Sequence, residues 1–207
     1  MAAAETWSTD EEETGVAKVV VLTALTLSAY YYVWLFRSLR RLELRAADEQ
    51  QRKNAVGVRG AILLGIGLQI VAILFLATGV AALLSDPFAQ ESLTLALETG
   101  ELNLPSSIVT AETLARLFDW ASWLVLWVPL VAFLSGALQR HNSGSRAIGV
   151  AWILIAVRIV EEPIVLLSGF DLARGVNVLN PLLYLALVGA TVAAWNALWT
   201  ARAYHLN

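Results

Sequence analysis

The sequence contains no cysteine, only two histidines, and few charged residues (15%). Without cysteine the chain has no disulfide, no thiolate metal site and no cysteine nucleophile. Both histidines, His141 and His205, lie outside the apolar segments, which argues against a haem or a histidine-bound metal within a membrane. No nucleophile–base pair or metal-ligand set is apparent, so we expect no catalytic residue, no metal and no cofactor, and favour a role other than catalysis.

Apolar residues are abundant where charged residues are scarce. They make up 58% of the chain, and its mean hydropathy is +0.65. Soluble domains contain about 45–50% apolar and about 25% charged residues. The apolar residues here are concentrated in stretches of about 20 residues, the length that crosses about 30 Å of hydrocarbon as a helix. The composition therefore predicts an all-α, polytopic helix bundle in the cell membrane.

Five apolar segments predict about five transmembrane helices within a single domain that covers residues 16–207. A polar, acidic tail (residues 1–15) precedes them and lacks the basic start of a secretory signal, so we expect the first helix to be retained. Pro181 is expected in the first turn of the fifth helix, where a missing N–H costs little. In the long loop after Asp86-Pro87, we expect a short interfacial helix at 92–97. The predicted transmembrane helices span residues 16–36, 61–84, 117–138, 147–169 and 182–203.

The distribution of basic residues predicts the orientation of the chain, because positively charged loops stay in the cytoplasm. The loop 85–113 has no basic residue and five acidic ones, whereas the loops before and after it are basic. The pattern places the N-terminus outside the cell and the C-terminus inside. We expect the loop after the first helix to lie near anionic lipid headgroups, and we expect no nucleic-acid partner. Its basic residues are Arg37, Arg40, Arg41, Arg45, Arg52, Lys53 and Arg59.

The fourth segment carries three charged residues in its apolar run, namely Arg158, Glu161 and Glu162. An ionised residue at the centre of a membrane helix costs about 2.5–3.5 kcal/mol on insertion scales. Three such residues nearly cancel the gain from the apolar residues around them. We therefore expect the charged face of this helix to turn into the bundle or toward a water-filled cavity.

The spacing of these three residues predicts local pairing with one carboxylate in excess. Positions three and four apart share a helix face, so Glu161 and Glu162 can both reach Arg158. One arginine neutralises one carboxylate, and the other must take up a proton, bind a cation or find another donor. Pro163 cannot donate to the Ile159 carbonyl, so a kink and a free backbone oxygen are expected beside the acids. The alternative is a structural ion pair that fixes helix packing.

Polar residues on neighbouring helices are candidate members of the same binding site. Asp119 is expected near the outer end of the third helix, and Asn196 in the inner half of the fifth. The predicted binding residues are therefore Arg158, Glu161, Glu162, Asp119 and Asn196.

The end of the first segment reads Leu-Ser-Ala-Tyr-Tyr-Tyr-Val-Trp-Leu-Phe-Arg-Ser-Leu-Arg from Leu27 to Arg40. This resembles a family of small prokaryotic multi-pass membrane proteins of unknown function, whose first helix ends in tyrosine, tryptophan and then a basic segment. The resemblance covers the first helix only. It implies a membrane location and no particular activity.

Two functions fit these observations. The first is a membrane-embedded binding or permeation component for an ion, proton or small solute, acting as a homo-oligomer or with a partner membrane subunit. The second is a non-catalytic membrane scaffold that binds protein partners through its arginine-rich loop or its outer acidic loop.

Overall fold

The computed structural model describes residues 15–26, 28–44, 49–99, 104–141, 144–168 and 170–205. Within these ranges the chain is all-helical and forms no strand, which confirms the all-α part of the predicted fold class. The acidic tail lies outside the described residues except for Gly15, as does Arg45. The described helices are α1 (Val16–Leu25), α2 (Ala29–Leu44), α3 (Glu49–Ser85), α4 (Pro87–Thr99), α5 (Ser106–Arg140), α6 (Arg146–Ser168) and α7 (Phe170–His205).

Among the described residues, three helical segments are long and apolar enough to cross a membrane. They are α3, α5 and the part of α7 from Asn180 to Ala201. Only 17% of the apolar window of α3 is buried within the protein, against 44% for each of the other two. Large apolar side chains such as Leu63, Ile73 and Leu74 are more than half exposed. So much exposed apolar surface on one helix fits contact with lipid, and the chain is a membrane-embedded protein.

Three of the long helices begin well before their apolar segments. α3 starts at Glu49, α5 at Ser106 and α7 at Phe170, each about three turns earlier than the apolar residues indicate. Pro181 therefore lies inside α7 and not in its first turn, which corrects the prediction. The helix at 92–97 is present within the longer α4. Apolar content marks the part of a helix suited to hydrocarbon, whereas backbone hydrogen bonding continues into polar turns on either side.

The predicted first helix is interrupted near its middle. α1 ends at Leu25, α2 begins at Ala29, and Ser28 between them has a φ of 76°. The Ser28 N–H donates to the Thr23 carbonyl at 2.8 Å. The hydroxyl of Thr26 donates to the Leu22 carbonyl at 2.6 Å, and accepts from the Tyr30 N–H at 3.0 Å. These local bonds satisfy backbone groups at the break, which an apolar surrounding requires.

The chain divides into two compact units. The first contains α1, α2, α6, α7, the start of α3 up to Gly60 and the end of α5 from Trp127. The second is Ala61–Leu126. In the second unit α3 and α5 approach closely at Gly65, whose carbonyl accepts a hydrogen bond from the Ser122 hydroxyl at 2.8 Å. A Cβ at Gly65 would lie 3.0 Å from the Cβ of Leu126, so this contact depends on glycine.

The first unit has an aromatic core. Tyr31 stacks on Trp127 with ring centroids 5.4 Å apart, and Trp34 contacts Trp195 edge-on at 6.0 Å. The hydroxyls of Tyr31 and Thr191 form a buried hydrogen bond of 2.9 Å between α2 and α7. Large aromatic rings prefer specific contact geometries, and the buried hydroxyl of Tyr31 has its hydrogen-bond partner in this arrangement. These contacts therefore favour a single packing of the helices. This core connects α2, α5 and α7 within the unit that also contains the charged residues of α6.

Candidate functional site

The charged residues of α6 lie in the interior of the helix, more than one turn from either end. Arg158 is about 18 Å along the axis from Arg146, where α6 begins. Its side chain is 5% exposed, that of Glu162 is 4% exposed and that of Glu161 is 14% exposed. Charged side chains with so little exposure need partners within the protein. The structure supplies them from α6 itself and from α7.

One guanidinium nitrogen of Arg158 faces three acceptors. Nη1 donates to Glu162 Oε2 at 2.8 Å, to Asn180 Oδ1 of α7 at 3.2 Å and to Glu161 Oε2 at 3.5 Å. Because this nitrogen carries only two hydrogens, three acceptors share two donors. Glu162 has the short, strong bond, and Glu161 is at the outer limit of hydrogen-bond distance. Glu161 is therefore the more weakly held of the two carboxylates.

Glu161 also has an oxygen that the protein leaves unsatisfied. Its Oε1 is buried and has no hydrogen-bond partner among the described residues. A buried carboxylate oxygen without a donor is unfavourable when ionised, because neither water nor protein compensates its charge. With one guanidinium between two carboxylates, the three side chains carry a formal charge of −1 when all are ionised. A proton or a cation at Glu161 would balance that charge.

The backbone adds an oxygen acceptor close to the acids along the helix. Pro163 lies inside α6 and has no N–H to donate to the carbonyl of Ile159. The Ile159 carbonyl thus lacks its usual helical donor in the same turn as Glu161 and Glu162. Carboxylate and carbonyl oxygens together are the ligands that hard cations prefer. In the part of the chain that the structure describes, no group of three histidine, cysteine or acidic residues is placed to bind a metal.

The five residues predicted from the sequence are distributed as follows. Arg158, Glu161 and Glu162 come together as their spacing predicts. Asn196 is also on α7, but lies about 24 Å further along the helix than Asn180, the residue that contacts Arg158. Asp119 belongs to the second compact unit, and its role in binding stays a prediction.

Asn180 is the site residue that sequence reasoning missed. It precedes Pro181, and this pair suggests the end of a turn before a helix, not a helix interior. The signal that could have identified it is its side chain, an amide at the edge of an apolar segment. Because α7 continues through Pro181, Asn180 is held on a helix and can contact Arg158 of α6.

Comparisons with protein-family models, with curated proteins and with solved structures find no match to this chain.

Proposed function

We propose that this chain binds a proton or a small cation at the Arg158–Glu161–Glu162 cluster and acts as a permeation component of the cell membrane. The observation that carries the proposal is the weak hold on Glu161: its buried Oε1 has no donor among the described residues, and its Oε2 is 3.5 Å from an arginine that bonds Glu162 at 2.8 Å. Ionisable side chains are rare within membrane segments, and those that occur there often belong to ion or proton pathways. Glu161 is the residue that would take up and release the ion.

The proposal includes five crossings of the membrane with the N-terminus outside. The crossings are α1 with α2, α3, α5, α6 and the apolar part of α7. α6 has 23 residues and is about 35 Å long, enough to span the hydrocarbon despite its charges. The alternation of basic and acidic loops supports this count, because a missing crossing would place basic loops on both sides.

We also propose that the chain acts as a homo-oligomer or together with a partner membrane subunit. Five helices are few to enclose a transport path. The exposed apolar face of α3 and the excess carboxylate of α6 are the two features that a second subunit could use. The structure places Arg37, Arg40 and Arg41 on α2 and not in a loop. Contact between these arginines and anionic headgroups would hold the cytoplasmic end of α2 at the membrane surface.

The test measures ion flux in liposomes with and without Glu161. Full-length protein is reconstituted with an internal pH-sensitive dye, and a potassium gradient with valinomycin drives proton entry. Repeating the assay with a sodium-sensitive dye, and with a potassium-sensitive dye in the absence of valinomycin, distinguishes the ions. We expect Glu161→Gln to reduce the flux to that of protein-free liposomes, because the amide cannot take up a proton and holds no charge for a cation.

Glu112→Gln is the matched control. Glu112 also forms an ion pair with an arginine of its own helix, Arg116, at 3.1 Å, but it lies near the start of α5 in the other unit. This variant should transport as the unchanged chain does. The proposal would be contradicted if the unchanged chain and the Glu161→Gln variant gave equal flux at equal amounts of protein in the liposomes.

The second candidate function is a non-catalytic membrane scaffold in which the cluster only fixes packing. The bonds of Arg158 favour it, since this buried side chain is neutralised by Glu162 at 2.8 Å and connects α6 to α7 through Asn180 at 3.2 Å. The two functions differ in what Glu161 does. A scaffold tolerates Glu161→Gln without loss of partner binding or accumulation, whereas a permeation component loses transport.

A further inference from the structure

A groove lies between the beginning of α3 and the end of α5, within the first compact unit. Its volume is about 370 Å³. The α3 wall includes Lys53, Asn54 and Gly57, and the α5 wall includes Phe133, Gly136 and Arg140. These two helices are among the three that can span the membrane. The groove therefore begins where the polar end of each helix meets its apolar part.

The groove is polar at one end and apolar along the rest of its length. Lys53 and Arg140 are exposed and come from different helices, yet both line the same concavity. Beyond them, the lining changes to Val58 and Phe133, which are 6% and 9% exposed. Two cations followed by an apolar channel complement an amphipathic anion, with the charge at the rim and the chain along the helices.

The two cations can contact an incoming phosphate. Lys53 pairs with Glu49 at 3.0 Å, but both side chains are more than two-thirds exposed, so water weakens this pair. Arg140 uses Nε to donate to the Gly136 carbonyl at 3.2 Å. Its terminal nitrogens Nη1 and Nη2 are the pair that binds phosphate oxygens in a bidentate manner.

The glycines of the groove border open space and not a packed neighbour. A Cβ built at Gly57 or at Gly136 would have no atom within 4 Å. Gly65 in the second unit is the opposite case, where the same addition meets Leu126 at 3.0 Å. Helix packing therefore does not account for glycine at positions 57 and 136. Larger side chains there would instead fill the groove.

We propose that this groove binds one anionic phospholipid, with its phosphate between Lys53 and Arg140 and an acyl chain along Val58 and Phe133. The positive charges of Lys53 and Arg140 favour an anion, and the apolar lining favours a lipid over free phosphate. The site is separate from the Arg158 cluster and does not depend on ion permeation. It gives a specific location to the headgroup contact that the basic loops imply only in general terms.

The test is native mass spectrometry of the purified full-length chain, titrated with dioleoyl phosphatidylglycerol or dioleoyl phosphatidylcholine. We expect tighter binding of the first lipid to the unchanged protein. Lys53→Gln and Arg140→Gln should each weaken phosphatidylglycerol binding about fivefold, the effect of one cation near an anionic lipid. Gly136→Leu should also weaken it, because the leucine occupies the space of the acyl chain.

Two control variants change the same residue types outside the groove lining. Arg52→Gln removes the neighbouring positive charge, and Gly60→Leu adds a side chain at another glycine with nothing within 4 Å. Both should bind phosphatidylglycerol as the unchanged chain does. Equal binding of the two lipids by the unchanged protein would overturn the proposal. So would equal losses for Arg52→Gln and Lys53→Gln, or displacement of the lipid by millimolar inorganic phosphate.

Discussion

Arg158 connects the candidate site to the stability of the fold. It donates to carboxylates on its own helix and to Asn180 on α7, so the same side chain sets the charge of the site and the contact between two helices. Buried pairs of this kind contribute little net stability when both partners are present. Removing one partner is costly, because the other charge stays buried.

We expect Arg158→Leu to lower the free energy of unfolding by about 3–5 kcal/mol, the cost of breaking a buried pair on one side. The double variant Arg158→Leu/Glu162→Leu should recover most of this loss, because it removes the closer carboxylate as well. Thermal unfolding of the detergent-solubilised protein, followed by tryptophan fluorescence, measures the stability of the single and the double variant.

Arg59→Leu provides a control with an equal ion-pair distance. Arg59 pairs with Glu43 at the same 2.8 Å distance, but these side chains are 37% and 23% exposed. A pair so accessible to solvent is worth about 0–1 kcal/mol, so this variant should unfold almost as the unchanged chain does. Similar losses for Arg59→Leu and Arg158→Leu would show that burial is not what makes the Arg158 pair important.

The break between α1 and α2 departs from the geometry of a continuous helix. Ser28 adopts a φ of 76°, a conformation that costs an L-residue about 1–2 kcal/mol. Interrupted helices within membranes are found where the backbone is protected by protein or lines a cavity. Here the side chain of Thr26 and the carbonyl of Thr23 satisfy the nearby groups.

Two substitutions of Ser28 separate backbone strain from the loss of its hydroxyl. Both Ser28→Gly and Ser28→Ala remove the hydroxyl, but only glycine adopts a positive φ without a steric penalty. We expect the glycine variant to be more stable than the alanine variant by about 1 kcal/mol, measured by thermal unfolding in one detergent. Equal stability of the two variants would mean that residue 28 does not have a left-handed conformation in solution.

Local composition explains which helix ends could be predicted from the sequence. The C-terminal ends of α3, α5 and α6 agree with prediction within two residues, because charged residues, proline or glycine follow apolar runs there. The break at Ser28 could not be predicted, since the run Val16–Phe36 contains neither glycine nor proline after its start. The Arg158 pairing was predictable because it follows from helical spacing alone. Asn180 was not, since its contact requires two helices to pack.

At the scale of the whole molecule, the function depends on whether α6 crosses the membrane. In the described part of the chain, three helical segments are apolar enough to cross without help, and α6 is not among them because of its three charges. A helix of this kind inserts when its charged face is covered by other helices. The bonds of Arg158 to its own helix and to Asn180 provide that cover, which couples the number of crossings to the existence of the site.

Single cysteines test the five-crossing arrangement directly, because the chain has none of its own and each introduced thiol reports alone. A membrane-impermeant maleimide added to intact cells should label cysteines at positions 9, 100 and 175. Cysteines at positions 50, 144 and 205 should react only after the membrane is opened. The variants Gly144→Cys and Gly175→Cys together show whether α6 crosses the membrane, since only this helix and the first turns of α7 lie between the two positions. If both react from one side, α6 does not cross. The proposed ion pathway through Arg158 and its carboxylates then has no crossing helix, and the permeation proposal fails.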